Sequence, residues 1–380
     1  VRLLLIGPGH PFRGGIAYFT HGLADALETG WQDRTIWASF SRQYPRLLFP
    51  GGSDRQEESY LRGLRPPDLR WDPWNPASAL ALAERAAAEG VDAVLLPWWT
   101  WFWAAADLWL VGALRRAGVR RFVAIVHNPC DHEGAIWKRF LSRTVLGRFD
   151  AFLAHSQAIA EPLRRDFPGK PVGVANLPTH LLPGDPGKPS GEARRALGLP
   201  PTGPVFLFFG IVRPYKGLDL LLDAWPAIER ETGGQLVVAG EFWPGTEKLR
   251  ERIRSRVAAG ASIRLHDRFV PDSEVVDFFR AADLVVLPYR SATGSGIVPI
   301  ARWSGKPVLG SDLPGLRDVV DPEVDGLLVP PGNADALAAE AIRFVREGLG
   351  DRLADGSRLA AARLGWQPYV SILKNLVESV

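Results

Sequence analysis

A chain of 380 residues is long for a single hydrophobic core and suits two domains of ordinary size. Its apolar and charged fractions, 46% and 23%, are those of a globular protein, and a net charge of only +3 argues against a broad nucleic-acid footprint. The single Cys130 excludes an intrachain disulfide and suits a reducing compartment.

Arg2 to Ile6 reads as a strand and Ile16 to Thr29 as a helix, with Gly14-Gly15 turning between them. The early Gly7-Pro8-Gly9 lacks the third glycine of a dinucleotide fingerprint, and Pro11-Phe12 breaks the helix entry it would need. Val1 to Ile6 is too short for the apolar core of a signal peptide. Val94 to Leu114 is the one candidate membrane span, but Pro97, Thr100 and Asp107 interrupt it, dividing it into a strand (Ala93 to Pro97) and a helix (Phe102 to Arg116). A cytoplasmic protein is therefore expected. Trp98, Trp99, Trp101, Trp103 and Trp109 are read first as core; an acceptor wall or a peripheral contact at the inner membrane face is the second reading.

Arg121 to Val126 and Ala151 to Ala154 are further buried strands, the second followed by a helix around Ala158 to Arg165. His127-Asn128 and His155-Ser156 stand at their ends, where the loops of open sheets carry function. His127, Cys130 and His132 fit no standard zinc spacing, so no metal site is expected; Asp131, His132 and Glu133 add polar groups for an acceptor. Leu177 to Thr202, rich in Pro and Gly, has linker composition. Strands then resume at Val205 to Phe209, Gln235 to Val238, Ile263 to His266, Leu284 to Leu287, Pro307 to Leu309 and Gly326 to Val329. The alternation implies two α/β, doubly wound parallel sheets.

Two segments of the second half carry chemistry. Gly210 ends the strand Val205 to Phe209, and Arg213 and Lys216 stand where the next helix begins, so a helix dipole and two cations are offered to an anion. After Leu284 to Leu287, Thr293-Gly294-Ser295-Gly296 leads into the helix Ile297 to Trp303 and forms a second candidate for phosphate oxygens.

The run Phe209-Gly210-Ile211-Val212-Arg213-Pro214-Tyr215-Lys216-Gly217 resembles the donor-diphosphate loop of family-4 retaining glycosyltransferases. So do Ser304-Gly305-Lys306-Pro307, Gly310-Ser311-Asp312-Leu313-Pro314-Gly315, Asp325-Gly326 and Pro331-Gly332-Asn333, in that order. The resemblance covers most of the second half and implies the GT-B fold, two facing Rossmann-like domains with a cleft between them. It places an acceptor-side domain at 1–180, to which a last helix at 366–380 crosses back, and a nucleotide-sugar donor domain at 181–365.

The resemblance assigns catalysis to His127, Arg213 and Lys216, and donor binding to Gly14, Gly15, Phe269, Val270, Thr293, Gly294, Ser295 and Gly296. It implies no cofactor and no metal. The partners are a nucleotide-sugar donor and a glycan, lipid-linked or small-molecule hydroxyl acceptor. The family's usual Glu, seven residues, Glu falls here on Ala292 and Ile300, or one residue on, on Thr293 and Ala301. Altered donor recognition is the expectation, with Glu241 the nearest substitute carboxylate. A sugar-nucleotide epimerase and a non-catalytic sugar-nucleotide-binding scaffold on the same fold are the alternatives.

Overall fold

The computed structural model describes residues 1–44, 53–56, 59–129, 136–178 and 189–380. The chain divides into two compact units, Val1–Pro178 with Gly365–Val380, and Thr179–Leu364. In the first, seven strands form one sheet: β1 (Leu3–Ile6), β2 (Thr35–Phe40), β3 (Leu69–Trp71), β4 (Ala93–Trp98), β5 (Arg121–Val126), β6 (Ala151–Ala154) and β7 (Val172–Val174). All neighbours pair in parallel, in the order β3-β2-β1-β4-β5-β6-β7. Every residue of β1, β2, β4 and β6 is buried, as strands covered by helices on both faces must be.

Alternate residues of β1 serve opposite cores. Leu4 and Ile6 join Leu82, Leu110 and Leu114 of the helices Pro76–Ala88 and Ala104–Arg116. Leu3 and Leu5 join Phe19, Leu23 and Leu27 of the helix Gly15–Gly30, and Tyr369, Leu373 and Leu376 of the helix Trp366–Glu378. That last helix belongs to the first unit because Gly22 lets it close: a Cβ at Gly22 would lie 2.3 Å from the Trp366 indole.

The second unit is a six-stranded parallel sheet of β8 (Val205–Phe209), β9 (Gln235–Ala239), β10 (Ile263–His266), β11 (Leu284–Leu287), β12 (Val308–Ser311) and β13 (Gly326–Val329), in the order β10-β9-β8-β11-β12-β13. The end of the segment read as linker is part of this unit. Ser190–Ala196 is a helix whose Ala193 is buried, and the buried Arg194 pairs with Asp283 at 2.7 Å while donating to the carbonyls of Ala281 and Gly203. Ala193 and Leu199 join the core of the second unit beside this ion pair. In each sheet the strand order reverses once, between β1 and β4 and between β8 and β11. Ligands of open α/β sheets bind at such reversals, beyond the carboxyl ends of the strands.

Candidate active site

At the reversal in the second unit, Gly210 leaves β8 with φ near 100°, a conformation that favours glycine. Gly240, at the end of β9, presses so closely that a Cβ there would lie 2.0 Å from the Gly210 oxygen. Val212 then bridges Phe242 in parallel and its N–H donates to the Glu241 carbonyl at 2.9 Å. This short extension of the sheet carries Arg213 out over the rings of Tyr215 and Trp243, 5.5 and 5.6 Å from their centroids. The aromatic faces hold the guanidinium in place. Glu241 serves the same platform, its carboxylate accepting from the Trp243 indole N–H at 3.3 Å.

Pro214–Lys216 is a single 3-10 turn, and Gly217, at φ 67°, opens the helix Leu218–Thr232. Gly217 also sets the distance to the neighbouring loop, since a Cβ there would lie 1.9 Å from the Pro288 oxygen. The Arg290 N–H donates to the Tyr215 carbonyl at 2.7 Å, and the Arg290 side chain pairs with Asp219 in the first turn of the helix. The loops that follow β8 and β11 are thereby stitched together, and Asp219 is engaged by Arg290.

Lys216 folds back over Gly210: its Nζ lies 3.2 Å from the point where a Cβ on Gly210 would stand, and Ile297 Cδ1 is 3.5 Å from the same point. Desolvation first, and then the neighbouring Arg213 charge, push the Lys216 ammonium down to about pKa 8. Among the described residues Lys216 forms no ion pair. A partly desolvated cation beside a second cation and a bare glycine suits a multiply charged anion.

The second segment is built to leave backbone exposed. Among the described residues, and apart from the glycine and its chain neighbours, no atom lies within 4 Å of the Cβ that Gly294 or Gly296 would carry. Ser295 is buried; its hydroxyl pairs with the buried Tyr289 phenol at 3.4 Å and accepts the Ile297 N–H at 3.2 Å, capping the start of the helix Ile297–Trp303. Gly315 supports the loop from behind, because a Cβ there would lie 2.3 Å from the Thr293 carbonyl carbon. Of the positions where a Glu pair would stand, Ala301 is fully buried and Ala292 and Ile300 pack against the core. Beyond β10, Val270 is a core residue, so only its backbone can meet a ligand, and Phe269 is half-buried. The contributions of Tyr215, Trp243, Tyr289 and Gly315 were not read from the sequence. Tyr215 beside Lys216 and Gly315 within the motif Gly310 to Gly315 were the available signal.

In the first unit, Gly14 (φ 110°) caps the helix Gly15–Gly30, and both glycines face open space. The preceding turn is clasped to β2 and to the helix: the Gly9 N–H donates to Ser39 Oγ at 2.9 Å, and the His10 N–H to His21 Nε2 at 2.8 Å. Burial, with a smaller contribution from His10, pushes His21 down to about pKa 4, so it is a neutral acceptor. His127 is half-buried, its ring 4.7 Å from Phe19 edge-on and 4.4 Å from His155. His155 is buried, with Nδ1 3.3 Å from the Ala175 carbonyl, and has a packing role. Cys130, Asp131, His132 and Glu133 lie outside the described residues, among which no group of His, Cys, Asp and Glu side chains is placed to hold a metal.

Residues 13–176 match a family model described as Glycosyltransferase Family 4, and residues 203–347 one described as Glycosyl transferases group 1. Each half of the chain thus matches a glycosyltransferase family model. The chain is 34% identical over 196 residues to the D-inositol 3-phosphate glycosyltransferase of Saccharomonospora viridis, covering 48% of this chain and 44% of that one. To the enzyme of the same name from Streptomyces bingchenggensis it is 28% identical over 279 residues, covering 70% and 60%. The matched part is thus less than two thirds of either relative.

Among solved structures, sucrose-phosphate synthase from Thermosynechococcus elongatus superposes with a TM-score of 0.74 at 19% identity, over 100% of this chain and 99% of that one. HepE from Anabaena, solved with UDP, superposes with the same score at 16% identity and the same coverage. These likenesses establish the GT-B fold of this chain. Among its described residues no helix is long and apolar enough to cross a membrane.

Proposed function

We propose that the protein transfers a sugar from a nucleoside diphosphate sugar to a hydroxyl acceptor, with retention at the anomeric carbon and without a metal. The observation that carries this reading is Lys216, desolvated over Gly210 beside Arg213 and without an ion pair among the described residues, at the reversal of the second sheet. In the transfer, the bond from the anomeric carbon to the diphosphate oxygen breaks and a bond to the acceptor oxygen forms. The acceptor proton passes to the departing diphosphate. Negative charge grows on that diphosphate, so cations fixed around it lower the barrier more than they favour the ground state. The backbone at Gly294 and Gly296 is bare enough to meet the same phosphates. The glycosyl-transferring relatives and the UDP bound by HepE support the donor class. To His127 we assign contact with the transferred sugar, on its strand-end position and the resemblance.

Lys216→Ala is expected to weaken nucleoside diphosphate binding by about 2–4 kcal/mol, the cost of removing a charged partner from a desolvated site, and Arg213→Ala by somewhat less. His127→Ala is expected to depress turnover more than diphosphate affinity. Calorimetry with UDP and GDP, alongside diphosphate release in the presence of acceptors, reads all three. Unchanged affinity in both cation variants overturns the reading, and binding without release under any acceptor makes the protein a sugar-nucleotide scaffold.

A further inference from the structure

The first unit carries an exposed face that is both apolar and basic. On the helix Ile136–Leu146, Ser142, Val145 and Leu146 face inward, while Ile136, Trp137 and Phe140 are 88%, 51% and 69% exposed. Their spacing puts the three on one side of the helix. Between and beside them stand Lys138, Arg139 and Arg143, and the helix contains no Asp or Glu. Among the described residues, Arg143 of this helix pairs with Asp166 at 3.7 Å.

The apolar face continues beyond the helix as a chain of rings. Trp137 meets Trp101 at 4.7 Å, Trp101 meets Phe102 at 6.3 Å, and Phe102 meets Trp74 at 5.5 Å. The Lys138 ammonium lies over both Trp101 and Trp137. At the far end Trp74 and Trp109 are held at the surface by their indole N–H groups, which donate to the carbonyls of Gln43 and Pro76. Between them is a cavity of about 250 Å³ with Trp71 and Trp103 in its lining.

We propose that this face docks on an anionic bilayer, with Ile136, Trp137 and Phe140 among the lipid headgroups and Lys138, Arg139 and Arg143 on the phosphates. Exposed Trp and Phe interleaved with cations is the composition of a surface-lying amphipathic helix, and the cations confer preference for anionic lipid. A second copy of the chain is the poorer occupant, because a two-fold contact would set these cations against their own counterparts. The peripheral contact suggested by the tryptophans at 98–109 is thereby moved: Trp98 and Trp103 are core residues, and the exposed apolar groups centre on 136–140.

The test is co-sedimentation of the full chain with vesicles of phosphatidylcholine alone and of phosphatidylcholine mixed with phosphatidylglycerol. It needs neither donor nor acceptor, so its outcome is separate from that of the transfer reading. The chain is expected to bind the mixed vesicles, less so as salt is raised, and to leave the neutral ones in solution. Trp137→Ser with Phe140→Ser is expected to lower the partition by about tenfold or more, and Arg139→Glu with Arg143→Glu to abolish the preference for phosphatidylglycerol. Melting temperatures close to that of the parent show that the variants fold. Equal binding to both vesicles, no binding to either, or variants that partition like the parent overturn the proposal. A dimer in solution that the serine variant dissociates assigns the face to a second copy.

Discussion

At the scale of single residues, Lys216 is held where its charge costs the fold something. Its folded pKa of about 8 lies below the ordinary lysine value, so between these two the unfolded chain binds the extra proton and stability rises with pH. Below that window the ammonium is charged in both states and its desolvation is fully opposed to folding. Lys306, also pushed down to about 8 by burial, acts with the same sign, so the effect is read as a difference between parent and variant. Lys216→Met, whose side chain suits the contact with Gly210 and Ile297, is expected to raise the melting temperature at pH 7 and to shrink that gain as pH passes 8. The same substitution is expected to remove diphosphate binding. In the parent, diphosphate affinity is expected to hold up to about pH 8 and fall above it as Lys216 loses its proton. A melting temperature lowered by Lys216→Met, or an affinity flat to pH 10, contradicts this account.

At the scale of elements, what could be read from the sequence depended on how much each segment carried its own reason for folding. β1, β4, β5, β8 and β11 are continuous apolar runs, and their ends placed His127, Gly210 and the 293–296 loop. The edge strand β3 is only Leu69–Trp71 and β7 only Val172–Val174, three residues each, too short to show a period; they exist because a neighbour pairs with them. The support of the candidate site was illegible for a similar reason. Trp243 reaches Arg213 from the end of a different strand, and Gly315 reaches Thr293 from beyond β12. Two glycines of the site therefore separate cleanly. Gly296 has a helical backbone and open space, so Gly296→Val is expected to keep the melting temperature within a few degrees and to lose donor binding by crowding the bare backbone. Gly315→Ala must displace the Thr293–Gly294 peptide, and is expected to cost about 1–3 kcal/mol of stability as overpacking does, with weaker diphosphate binding. Thermal unfolding with and without UDP distinguishes them, and a Gly296→Val protein that binds UDP normally removes the loop from the site.

At the scale of the whole molecule, the second unit is an insertion in the first: the chain leaves one sheet at Pro178 and returns to it at Gly365. The returning helix buries Tyr369, Val370, Leu373, Leu376 and Val377 against the first sheet and its opening helix. Gly22→Leu is expected to push Trp366 off this seat and to lower the thermal transition of the first unit, while UDP still protects the second. A single unshifted transition in scanning calorimetry contradicts that.

The returning helix also sets an order of events during synthesis. Domains ordinarily fold in turn as they emerge from the ribosome, the first one first. Here the face formed by Phe19, Leu23, Leu27, Leu3 and Leu5 stays without part of its cover while residues 179–364 are made, and it is closed only when 366–380 emerge. The earlier unit is thus finished last, and a ribosome stalled within the insertion leaves a nascent chain with an uncovered apolar sheet, a substrate for chaperones and proteases.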